Sequence, residues 1–205
     1  MKFPIFASFI IFVIVVKHAI KKQQNSKQNI EESFWDRERR SNSVRRKSLE
    51  DLDYIKIPLD ELPLEVLTEN PEVAQCIATI KELADTPIVN LTGYSNTDLK
   101  LEYGTANITQ LSQYDQSYTL LVSTLQKWAE YLYQAGFMQE TLQILEFALS
   151  TGTDVSKTYY LLAELYISRG EPDKITHLIE MAQELRSINR SSIVRTLQEF
   201  DQSAD

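Results

Sequence analysis

One feature constrains this chain more than any other: its C-terminal half matches itself at an offset of 34 residues. Gly136 recurs as Gly170, Ala129 as Ala163, and Ala148 as Ala182. Leu125 is answered by Tyr159, Trp128 by Leu162, Leu132 by Tyr166, and Leu145 by Ile179. Within each copy the apolar residues fall three or four apart, which places them on one face of a helix. Ala129 and Ala163 are small enough to let a paired helix approach closely. Gly136 and Gly170 sit where a helix would close in a left-handed turn. Each copy therefore predicts a helical hairpin, one over about 122–155 and one over 156–189. Ile193, Leu197 and Phe200 continue the spacing and predict a capping helix over 191–203, with Arg195, Gln198 and Glu199 outside.

A period of 34 is that of tetratricopeptide repeats, and over residues 119–200 the chain resembles that family. It departs from the family pattern at Thr141 and Ile175, where alanine is favoured, and at Thr153 and Ser187, where a proline separates units. The resemblance implies a mainly all-α protein, a TPR-like α-α superhelix that binds a peptide or protein surface with its concave face. Carried over residue by residue, that face consists of Gln126, Glu130 and Tyr133 from the first unit. The second unit adds Lys157, Tyr160, Glu164 and Ile167. The Lys/Arg cluster by which family members clamp a C-terminal carboxylate is missing. Glu130 and Glu164 favour a basic or mixed apolar ligand, and the chain's own Arg37–Lys47 segment is one candidate. A purely solvated helical face is the alternative.

Two repeat units alone bury too little surface to stand alone, so the core must draw on residues before them. Asn70-Pro71-Glu72 predicts a helix start, with Asn as cap, Pro in the first turn and Glu at the positive end of the dipole. Val73, Ile77, Ile80 and Leu83 or Ala84 follow at helical spacing, and Pro87 ends the run. Cys76 beside this face reads as a small buried hydrophobe, not a nucleophile. Upstream, Pro58 and Pro63 discourage helix within 52–67 and predict an extended strap packed on the helical body. Residues 88–104 predict a connector with a short hairpin, 88–91 pairing with 98–103. The helical domain is expected to span 51–205.

The N-terminus is different in kind. Phe3 to Val16 is apolar apart from Pro4 and Ser8. As a helix it reaches roughly 21 Å, or roughly 27 Å if extended to Ile20 with Lys17 snorkelling. Residues 1–22 thus predict a transmembrane or signal-anchor helix at the short end for a span. The absence of an Ala-x-Ala site and the lysines after the run favour a retained single-pass anchor with a cytoplasmic body. The alternative is export after signal cleavage. Residues 23–50 have the composition of a disordered juxtamembrane linker. Within it, Arg37, Arg39, Arg40, Arg45, Arg46 and Lys47 are candidates for contact with an anionic membrane surface, and Phe34-Trp35 for insertion at the interface. A solvated tether is the competing reading.

Charge follows the same division. Residues 1–47 carry a net +7 and residues 48–205 a net −15. An acidic body excludes nucleic acid as a natural partner. The two histidines, His18 and His177, lie far apart, and the sequence shows neither a phosphate loop nor a Cys/His metal cluster. The expectation is no enzyme, no cofactor and no metal. The expected function is a membrane-tethered protein–protein interaction scaffold of bacterial type. The alternative is a structural subunit of a larger membrane complex, its repeat face permanently covered. Three glycosylation-type triplets begin at Asn90, Asn107 and Asn189, and in a cytoplasmic body they read as coincidence.

Overall fold

The computed structural model describes Lys17 and residues 32–204, so the expected anchor helix lies outside the described residues apart from Lys17. No helix among the described residues is long and apolar enough to cross a membrane. The described chain is mainly helical. It divides into two compact units, 32–48 with 95–108 and 49–94 with 109–204.

In the larger unit α2 (Pro71–Leu83) starts as its sequence dictates. Asn70 caps it by accepting from the backbone N–H groups of Glu72 and Val73, with Pro71 and Glu72 in the first turn. It buries Val73, Cys76, Ile77, Ile80 and Leu83. Burial pushes the Cys76 thiol pKa up, which keeps it protonated and inert. The strap is extended only at 54–58, where Tyr54 pairs with Val89 and the Ile55 N–H donates to the Ile88 carbonyl at 3.0 Å. Beyond Pro58 and Pro63 it folds into turns. Leu62 is buried there, and Ile55, Ile57, Leu59 and Leu64 pack against the same core.

The remaining helices are α4 (Ile108–Gln134), α5 (Met138–Ser150), α6 (Ser156–Ser168), α7 (Asp173–Glu184) and α8 (Arg190–Ala204). The 34-residue offset reappears in their geometry. At the end of α4 the Gly136 N–H reaches the Tyr133 carbonyl at 3.0 Å, and the Phe137 N–H reaches Leu132 at 2.9 Å. At the end of α6 the Gly170 N–H reaches Ile167 at 3.0 Å, and the Glu171 N–H reaches Tyr166 at 2.9 Å. Both closures are Schellman motifs, and each glycine holds the positive φ that the motif requires. Burial repeats too: Leu125/Tyr159, Trp128/Leu162, Ala129/Ala163, Ile144/Leu178 and Ala148/Ala182 are all buried pairs. In α8, Ile193 and Leu197 are buried and Phe200 is partly buried, each 34 residues after a core position of α6. Thr141 is also buried, its hydroxyl donating to the Phe137 carbonyl at 2.8 Å. That bond is why a polar side chain can occupy a core position there.

A β-carbon at Gly136 or Gly170 would meet nothing within 4 Å. The expected cost of Gly136→Ala or Gly170→Ala is therefore conformational alone, about 1 kcal/mol each. Thermal unfolding of the two single variants, followed by circular dichroism, checks that value and the near-equality of the two.

The smaller unit corrects two expectations. Residues 98–103 do not form a hairpin strand: α3 (Asn96–Tyr103) is helical. Its start is a capping box in which the Ser95 hydroxyl accepts from the Asp98 N–H and Asp98 accepts from the Ser95 N–H. The Leu99-Leu101-Tyr103 alternation is overridden by that cap, and Ile88-Val89 pairs with the strap instead. Part of the segment expected to be a disordered linker is also ordered, since α1 (residues 32–42) is helical. Glu38 of α1 accepts from Lys100 and from Thr97 of α3, at 2.8 Å from the latter. Both the Lys100 and Thr97 bonds hold the Glu38 carboxyl below the ordinary carboxylate range.

Candidate functional site

Six of the seven residues expected on the binding face line one groove of about 230 Å³: Gln126, Glu130, Tyr133, Lys157, Tyr160 and Glu164. They come from α4 and α6, whose exposed faces flank it. Ile167 does not line the groove but packs partly buried against the core. Within the groove the polar groups form a chain. The Thr158 hydroxyl donates to Gln126 Oε1 at 2.8 Å, Gln126 Nε2 donates to Glu130 Oε1 at 3.0 Å, and Lys157 Nζ donates to the same oxygen at 3.0 Å. Gln126 is buried, so it joins the two helices more than it faces a ligand. Glu130 is already answered by Lys157, which leaves Glu164 as the exposed carboxylate of the face.

Partial burial pushes the Glu130 carboxyl up, but the bonds from Gln126 and Lys157 outweigh it and hold the pKa below the ordinary value. A depressed carboxylate contributes stability above its unfolded pKa and loses it as pH falls through the folded one. The α4–α6 link is thus expected to weaken in acid. Titrating thermal stability downward from neutral pH in wild type and Glu130→Gln should show a smaller acid loss in the variant.

The basic residues proposed for a membrane surface are mostly engaged within their own unit. Arg37 pairs with Asp98, Arg39 with Asp36, and Lys47 lies 3.9 Å from Glu102. Arg46 Nε donates to Asn107 Oδ1 at 2.9 Å, and Arg40 Nε to the Asp36 carbonyl at 3.4 Å. These partners lie in α1, in α3 and in the turn after it. Arg45 is exposed, and its carbonyl lies against Gly104. Phe34 and Trp35 stay 54% and 60% exposed in an edge-to-face pair.

Sequence reasoning missed the largest cavity described, of about 590 Å³. The strap, the 90–94 segment and the ends of α5 and α7 wall it, with Tyr54, Asn90, Tyr94, Glu184 and Arg186 among its lining. Asn90 organises it, its amide nitrogen lying 2.9 Å from the Tyr118 hydroxyl and 3.1 and 3.0 Å from the carbonyls of Thr151 and Gly152. Asn107 is likewise engaged, its amide nitrogen donating to the carbonyls of Lys47 and Tyr103. Both side chains are committed to internal bonds and do not present themselves to a glycan transferase. His177 is exposed beside Glu180. Among the described residues no three or more His, Cys, Asp or Glu converge as a metal site. No protein-family model, curated protein or solved structure matches the chain.

Proposed function

We propose that this chain is a membrane-tethered interaction scaffold whose TPR-like helices bind a peptide or protein segment in the α4–α6 groove. The observation that carries the reading is the convergence of Gln126, Glu130, Tyr133, Lys157, Tyr160 and Glu164 on one groove. The repeated Schellman closures at Gly136 and Gly170 support a superhelical stacking of hairpins. The apolar run from Phe3 to Val16 supports the tether.

The groove combines an apolar wall, from Tyr160 and Leu161, with a few polar groups, a composition suited to an amphipathic segment. A photo-crosslinking residue placed at Tyr160 in cells should give a discrete adduct in the membrane fraction. Glu164→Lys should remove it. An adduct pattern indifferent to Glu164→Lys, or a protein found wholly outside the membrane fraction, would overturn the reading.

A further inference from the structure

The register of the α4–α6 groove carries over to α8. Ser191, Val194, Arg195 and Gln198 of α8 line a separate cavity of about 390 Å³ with Arg190 and Gln183. Subtracting the repeat period of 34 from the first four gives Lys157, Tyr160, Leu161 and Glu164, the α6 wall of the groove. One more period back, Tyr160 and Glu164 become Gln126 and Glu130 of α4. Two helical positions therefore line a cavity on each of three successive first-type helices. Contact between them is direct, since the Tyr160 and Phe200 rings lie 6.5 Å apart.

The chemistry changes along this face. The position occupied by Glu130 and Glu164 is Gln198 in α8. The α8 cavity has no carboxylate in its lining, whereas the α4–α6 groove has two. Residues 186–195 contain three arginines and no acid, on a body with net −15. Arg190 and Arg195 make no ion pair among the described residues. Two residues before α8, Ile188 is 98% exposed. It does not sit on a loose loop: the flanking Ser187 donates to Asp154, and Asn189 Nδ2 donates to the Asp154 carbonyl at 3.3 Å.

We infer that the binding face extends onto α8 and that its occupant is a peptide of mixed charge, with acidic residues over Arg190 and Arg195 and a basic or polar portion over Glu164. The inference rests on the groove reading above and adds to it the partner's chemistry and its placement. Val194 within the cavity and the exposed Ile188 ahead of it supply apolar contact beside the arginines, as an amphipathic acidic segment requires. Directional amide and hydroxyl donors from Gln183, Ser191 and Gln198 suit carboxylates. An anionic bilayer fits less well, because the strongly acidic body would be repelled from it.

The test uses the full chain in a zwitterionic detergent and three fluorescein-labelled probes read by anisotropy. They are an acidic amphipathic peptide, a basic one, and a chimera of the two halves. The chimera should bind best. Arg190→Glu with Arg195→Glu should weaken the acidic probe and the chimera at least tenfold and leave the basic probe within twofold. Ile188→Ser should weaken the same two probes severalfold. Acidic-probe binding that ignores the arginine pair would overturn the α8 extension, whatever happens to the basic probe. So would an arginine pair needed for binding to phosphatidylglycerol vesicles but not for either peptide. If the Tyr160 crosslink persists while these probes ignore α8, only this inference falls; if crosslink and probes both fail, the groove reading falls with it.

Discussion

Trp128→Ala is expected to cost about 3–5 kcal/mol, the range for deleting a large aromatic from a closed core. Trp128 is wholly buried in α4, in one hydrophobic cluster with side chains of α2, α5, α6 and α7. The neighbouring positions are occupied by side chains already fixed by the repeat, so the site has little freedom to collapse. For a chain of this size that loss corresponds to a fall in melting temperature on the order of 10 °C. Trp128→Phe is the informative contrast. The indole N–H meets no protein acceptor among the described residues, so the smaller ring forfeits no hydrogen bond and about 1 kcal/mol of packing is expected. Thermal unfolding of both variants measures the difference. A Trp128→Phe loss as large as that of Trp128→Ala would mean that the indole nitrogen does have a partner.

The same repeat explains what could be read from residues alone. A helix hairpin is a local object: its apolar spacing, its small contact residues and its closing glycine all lie within 34 residues, so Leu125 to Ala182 display it openly. The Asn70 cap and the Val73–Leu83 face are equally local. What was not legible depended on partners far apart in sequence. The role of Asn90 is defined by carbonyls at 151 and 152, and nothing near Asn90 announces them. Tyr54 and Val89 pair across 35 residues, which freed 98–103 from the hairpin it was expected to complete. The early start of α4, with Leu111, Tyr114 and Tyr118 buried, escaped notice because it has no counterpart in the repeat. For the candidate site, the repeat register brought six residues to one groove. It could not foresee that Lys157 would neutralise Glu130, because that pair crosses from one unit to the next. The α8 surface was legible in principle, by carrying the register one period further.

Gly93→Ala should be far more damaging than either repeat glycine, at about 3 kcal/mol. Part of the loss is the φ of +88°, which costs an L side chain roughly 1–2 kcal/mol. The rest is space. A β-carbon at Gly93 would lie 2.5 Å from the Arg186 β-carbon and 2.6 Å from the Arg186 carbonyl oxygen. Neither is the far end of a flexible side chain, so the backbone between α7 and α8 must move, an overpacking of about 1–3 kcal/mol. That movement would break the Arg186–Tyr94 contact, in which the guanidinium donates to the phenol oxygen at 2.9 Å and lies 5.5 Å from the ring centre. It would also disturb the loop that holds Ile188 outward through Asp154. Gly93→Ala is therefore expected to lower thermal stability about three times as much as Gly170→Ala. It should also weaken acidic-peptide binding while leaving the α4–α6 groove's basic-probe binding intact. Tyr94→Phe separates the two causes: it removes one exposed hydrogen bond, keeps the glycine, and should cost less than 1 kcal/mol. A Gly93→Ala loss no larger than that of Gly170→Ala would show that the 93–186 approach relaxes without strain, and would remove the structural link between that turn and the α8 surface.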